Sequence, residues 1–133
     1  LEIIKTSNDQ QYKIDQVIFK DKTNDVMVFT VKAAAGTKFN YIPVSSHNPQ
    51  VGEKVYAIGS PRGLENTFSS GEISQFRENG KVIQISVPID HGSSGGALIN
   101  EYGEVIGITS GGFDNSGANL NFAVNINVVK SRL

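Results

Sequence analysis

Residues 89 to 98 read I-D-H-G-S-S-G-G-A-L, with two serines set among three glycines and a histidine just ahead of them. A serine hydroxyl attacks a carbonyl only when it is exposed, rigidly aimed and flanked by donors for the oxyanion that forms. Glycines let the backbone bend tightly and bring bare N–H groups close to a substrate, because no Cβ blocks the approach. Ser94 is therefore a candidate nucleophile, and it also satisfies the G-x-S-x-G pattern. The same pentapeptide fits a glycine-rich β-turn with solvated serines, and so short a motif does not separate the two.

A nucleophilic serine needs a base and an acid to orient that base, and the order of the three along the chain tests the known layouts. The α/β-hydrolase order needs an acid and then a histidine after the serine. No histidine follows Ser94, and the segment after it reads as strands. The subtilisin order, forced onto Asp25, His47 and Ser94, demands helices alternating with parallel strands, which this chain lacks. The chymotrypsin order of His, Asp, Ser suits the pair Asp25 and Ser94, but no histidine precedes Asp25.

The elements that must hold these residues are strand-like almost throughout. Glu2 to Thr6 and Tyr12 to Phe19 flank the turn formers Ser7-Asn8-Asp9-Gln10, a predicted hairpin. Val26 to Val31 is a run of β-formers launched from the polar loop that ends in Asp25. Residues 43 to 52 are turn formers and read as a connection between two halves. Strands are predicted over Lys54 to Gly59, Phe68 to Arg77 and Lys81 to Val87, the last two around Asn79-Gly80, a strong hairpin signal. Ala97 to Asn100, Glu104 to Thr109 and Asn119 to Val124 follow, and only Ile126 to Leu133 has helical potential. Short strands at close spacing, 14 glycines and one terminal helix imply an all-β barrel or sandwich.

Composition narrows the function classes. The 133 residues, 38% hydrophobic and 19% charged, fit one globular domain with a real core. A net charge of -1 gives no reason to expect nucleic-acid binding, and no apolar run approaches a membrane span. Without cysteine there are no disulfides or thiolate ligands, and with only His47 and His91 an imidazole-rich metal site is not expected. No cofactor is implied. The chain opens on Leu1 rather than Met, which is expected of a processed or excised piece.

Longer stretches carry a resemblance. Residues 90–110, D-H-G-S-S-G-G-A-L-I-N-E-Y-G-E-V-I-G-I-T-S, resemble the nucleophile segment of trypsin-like serine proteases of the HtrA (Deg) family. Residues 51–64, V-G-E-K-V-Y-A-I-G-S-P-R-G-L, resemble the stretch by which that family enters its second barrel. Thr23 to Val28 resembles the segment that supplies the triad acid, and Leu120 to Val124 the strand before the closing helix. The resemblance implies a chymotrypsin-like double β-barrel with a short C-terminal helix. Residues 1–44 would be the later strands of an incomplete first barrel, and residues 45–133 a complete second barrel.

It also implies roles. Ser94 would be the nucleophile, Asp25 the acid, and the N–H groups of Gly92 and Ser94 the oxyanion donors. Asp25, at a strand mouth beside Val26 and Val28, is expected to be held at low dielectric; taken alone it also reads as a loop residue that starts a strand. Ile89 would sit at the base of the primary specificity pocket with Leu120 on its wall, although both also fit ordinary barrel core. Asp90 and His91 would adjoin the cleft, and Ser110, Gly111 and Gly112 would offer a strand edge to an extended peptide. His47 reads as a solvated loop residue. In the resembling family the basic histidine precedes the acid, yet the 24 residues before Asp25 contain none. The chain is thus expected to be a fragment, inactive or nearly so, since loss of a triad member costs roughly four orders of magnitude in rate. The expected partners are an extended or unfolded polypeptide substrate and the N-terminal segment of the same domain. Family habit adds homo-oligomers and the bacterial periplasm or cell envelope. The rival expectation is a catalytically dead module that binds peptides through the same cleft edge.

Overall fold

Alternating apolar and polar residues become strands wherever one face can be buried, and here they form two separate β units. The computed structural model describes residues 3–59, 67–89, 93–110 and 121–133. Among them are nine strands, a 3-10 turn and one short helix, so the chain is all-β apart from its last element. The chain divides between Tyr41 and Ile42 into two compact units.

The first unit holds β1 (Ile3–Lys5), β2 (Gln11–Asp21) and β3 (Val26–Val31), an antiparallel sheet in the order β1-β2-β3. The predicted hairpin joins β1 to β2. The Asp9 amide donates to the Thr6 carbonyl at 3.0 Å, and Asp9 takes φ +64°, a conformation Asp tolerates because its short side chain bonds locally. The β2–β3 register breaks around Val17, and both Val17 and Ile18 are exposed. Of the described residues in this unit only Val26 is buried, so the sheet by itself has little core.

The second unit is a closed barrel in the order β4-β5-β6-β9-β8-β7. Its strands are β4 (Lys54–Gly59), β5 (Thr67–Arg77), β6 (Val82–Ile85), β7 (Ala97–Ile99), β8 (Val105–Ser110) and β9 (Asn121–Asn125). Closure pairs β4 with β7, so each of the six strands has a hydrogen-bonded neighbour on both sides. Inside, Val55, Ile73, Ile83, Ile85, Val87, Leu98 and Ile106 are almost wholly buried. Each such side chain contributes about 1.5–3 kcal/mol of burial, which makes the barrel a rigid frame for whatever its loops carry.

The Asn79-Gly80 signal marks a real hairpin between β5 and β6, with Arg77 paired to Val82, so β6 starts one residue later than expected and the loop is four residues. Glu78, Asn79 and Gly80 all have positive φ, which Asn and Gly accept readily. The stretch expected to be a free connector is partly structural. Val44 bridges Val105 in parallel, and the Ser45 and Val105 amides donate to the Val105 and Pro43 carbonyls, so 43–45 line the barrel wall. The helical tail is shorter than expected. Helix α1 spans Ile126–Lys130 and is capped by the Asn125 side chain, which accepts from the Asn127 amide at 3.0 Å.

Candidate active site

Ser94 is exposed on a two-residue turn with Gly95, immediately before β7. The turn is built from its backbone outward. Gly95 adopts φ +90°, a conformation that side chains resist, and a Cβ there would meet nothing within 4 Å. Its N–H does not face solvent but donates to the Thr109 carbonyl at 2.6 Å. Gly96 is needed for a different reason. A Cβ at that position would lie 2.1 Å from the Ile58 carbonyl oxygen, so only glycine lets the turn press against β4.

Thr109, 2% exposed on β8, grips the turn from behind. Its amide donates to the Gly96 carbonyl at 2.9 Å. Its Oγ1 accepts from the Gly96 amide at 3.1 Å and donates to the Ser93 carbonyl at 2.8 Å. The backbone bonds continue the β7–β8 ladder past Ala97↔Ile108 onto the turn. Ser93 is also fixed from the other side, since a Cβ on Gly59 would come within 3.2 Å of its Cβ. Nothing in the linear pattern pointed to Thr109, because the residues it joins are 13 and 16 positions away.

Beside the turn is a cavity of about 80 Å³ whose walls include Ala57, Gly59, Ser69, Pro88, Ile89 and Ser93. Ile89 has both of the characters its sequence allowed. It is half-buried, packs against the barrel core and faces this cavity. Ser110 ends β8 next to Thr109 and pairs with Phe122, so it lies on the same strand as the clamp. Asp90, His91, Gly92, Gly111, Gly112 and Leu120 lie outside the described residues.

His47 is placed elsewhere on the barrel. Its amide donates to Ser45 Oγ at 3.1 Å, the Ser45 amide donates to the Val105 carbonyl, and its Nδ1 lies 3.8 Å from Glu104 Oε1. Those partners sit at the start of β8, and the clamp is near its end. Val105 to Thr109 spans about 13 Å of extended strand. The ring is 76% exposed, as expected of a loop histidine.

Asp25 belongs to the first unit. It closes the loop between β2 and β3 at φ +56° and is exposed, which corrects the expectation of a low-dielectric setting; the burial falls on its neighbour Val26 instead. The loop is held by Asp21, whose Oδ1 accepts from the Asn24 amide at 3.0 Å and whose Oδ2 accepts from Asn24 Nδ2 at 2.8 Å. From sequence Asp21 reads only as one member of the polar loop, whereas it ends β2 and its carboxylate holds Asn24. The described residues contain no group of three or more His, Asp or Glu that could hold a metal ion.

The geometry now stands beside known proteins. The model of the trypsin-like peptidase domain family matches residues 2–108. A probable serine protease do-like of Buchnera aphidicola is 35% identical over 96% of this chain and 28% of its own length. Protease Do-like 5, chloroplastic, of Arabidopsis thaliana is 34% identical over 88% of this chain and 40% of its own length. Serine endoprotease DegS of Escherichia coli is 34% identical over 75% of this chain and 30% of its length. The crystal structure of the serine endoprotease from Yersinia pestis superposes with a TM-score of 0.83 at 28% identity, over 97% of this chain and 46% of that one. The chain thus spans less than half the length of each of these relatives. Family model, relatives and fold agree, and the chain belongs to the trypsin-like peptidase domain family, in its HtrA (Deg) branch.

Proposed function

We propose that this chain is the part of a serine endopeptidase domain that carries the nucleophile and the acid, and that its parent cleaves extended or unfolded polypeptide through an acyl-enzyme. Ser94 Oγ attacks the scissile carbonyl, and the N–H groups of Gly92 and Ser94 receive the oxyanion. The serine proton passes to an imidazole oriented by Asp25 and from there to the leaving amine; water then releases the acyl group. We assign that imidazole to the N-terminal segment of the same domain rather than to His91, which is assigned to the cleft, or to His47, which is held at the other end of β8. Leu1–Tyr41 act as the later strands of the first barrel and Ile42–Leu133 as the second, a boundary a few residues before the expected 44/45 because Pro43 and Val44 pair with β8. Substrate pairs as an extended strand along Ser110, Gly111 and Gly112, with an aliphatic side chain directed toward Ile89 and Leu120 and with Asp90 and His91 at the cleft rim. No metal or cofactor takes part.

The observation that carries this reading is the turn itself: an exposed Ser94 on a backbone fixed by the tight approach of Gly96 to β4 and by Thr109. The experiment is hydrolysis of an unfolded protein by the full-length encoded polypeptide. The expected result is cleavage that Ser94→Ala abolishes, and equal cleavage by that variant would overturn it. A second reading is a protease-like module that binds peptides through the same cleft edge without cutting them. It predicts binding of extended peptides with no cleavage, and an encoded upstream sequence that also has no histidine.

A further inference from the structure

We infer that Thr109 is a positioning residue of the nucleophile turn, its hydroxyl setting where Ser94 and its N–H, one of the proposed oxyanion donors, point. The inference rests on the serine endopeptidase reading, and the test below separates the two. Thr109 bonds the turn at both ends of the Ser94-Gly95 step: Ser93 before it through Oγ1–H, and Gly96 after it through the second function of the same oxygen. A hydroxyl has one proton to give and two lone pairs to offer, so both bonds form at once. No apolar side chain of that shape, and no side chain that only donates or only accepts, can do the same. The residue is 2% exposed, so water does not stand in when the hydroxyl is removed.

The other contacts on the turn do not make Thr109 redundant. The bonds between Thr109 backbone groups and Gly95 and Gly96 are ladder bonds that any residue at that position would form. Gly96 against Ile58 fixes how closely the turn approaches β4, and not how the Ser93 peptide is rotated. The Ser93 carbonyl belongs to the peptide that ends in the Ser94 amide. Holding that oxygen inward on Thr109 directs the Ser94 N–H to the opposite side of the same planar peptide. In this arrangement the oxyanion donor is aimed from below by a buried threonine, which touches no substrate itself.

The test uses the full-length protein with Thr109→Val and Thr109→Ser. Val keeps the shape and removes the hydroxyl; Ser keeps the hydroxyl and removes the methyl group. The expected result is a fall in kcat of roughly tenfold to a hundredfold for Thr109→Val with KM nearly unchanged, the size that a slightly misplaced reacting group produces. Thr109→Ser restores most of it. An unchanged kcat in Thr109→Val overturns the inference, as does an equal fall in both variants, which would assign the effect to packing. If Thr109→Val does not fold, amide hydrogen exchange in the wild type replaces it. Strong protection of the Gly96 amide supports the bond to Oγ1, and rapid exchange overturns it. Wild-type protein that cleaves nothing defeats the endopeptidase reading, whereas active wild type with an indifferent Thr109→Val defeats this inference alone.

Discussion

A Cβ placed on Gly96 would lie 2.1 Å from the carbonyl oxygen of Ile58, closer than any side chain is tolerated beside backbone. Because the opposing atom belongs to a barrel strand, neither side can give way cheaply. Gly96→Ala is expected to cost at least about 2–3 kcal/mol, within the range seen for overpacked sites, and to displace the Ser94 turn. Urea unfolding of the variant against wild type measures this. A loss below about 0.5 kcal/mol would mean that β4 and the turn are not in contact.

Gly95 makes a contrasting case in the same turn. It has positive φ but open space around its Cα, so Gly95→Ala meets strain and no clash. The expected cost is about 1–2 kcal/mol, from the left-handed conformation alone. Gly95→Asn, which accepts that conformation better, is expected to cost less than Gly95→Ala. Thermal unfolding of the pair tests the order, and Ala equal to wild type would contradict the backbone geometry.

Asn125 ties the hairpin loop to the closing helix. Its Nδ2 donates to the Gly80 carbonyl at 3.0 Å while its Oδ1 caps α1 at the Asn127 amide, and the residue is 7% exposed. Asn125→Ala removes both bonds and is expected to cost about 2–3 kcal/mol. Asn125→Asp keeps the cap but turns a carboxylate oxygen toward the Gly80 carbonyl, so it is expected to rescue little. Chemical denaturation of both variants decides it: full rescue by Asp would show that only the cap matters.

The loop that ends in Asp25 depends on Asp21 more than on any contact of Asp25 itself. Asp21→Ala removes two bonds to Asn24 and is expected to lower stability by about 1 kcal/mol. Under the proposed function it is also expected to lower the kcat of the full-length protein, because Asp25 then loses its fixed position. Asp21→Asn, which keeps an acceptor for the Asn24 amide, is expected to lie between the two. Kinetics on full-length protein are the measurement, and a kcat unaffected by Asp21→Ala would separate Asp25 from catalysis.

Much of this architecture could be read in the chain before any coordinates, because period-two alternation and turn residues are local signals. The strands from Lys54 to Gly59, Val26 to Val31 and Ala97 onward fall where the pattern put them. The turn at Ser94-Gly95 was legible too, but the reason for its glycines was not. Bare N–H groups facing a substrate were expected from Gly92-Ser93-Ser94-Gly95-Gly96. The Gly95 amide, not among the expected oxyanion donors, serves Thr109, and Gly96 is glycine because of Ile58. Both contacts join strands distant in sequence and leave no local periodicity. The exposure of Asp25 was missed for a related reason: Val26 and the residues after it show how buried the strand is, not how buried its first loop neighbour is.

The most direct test of the central claim is mass spectrometry of the full-length protein after treatment with a fluorophosphonate. The account predicts a single adduct, mapped to Ser94 and absent from Ser94→Ala. No adduct, or one that persists in Ser94→Ala, would contradict it.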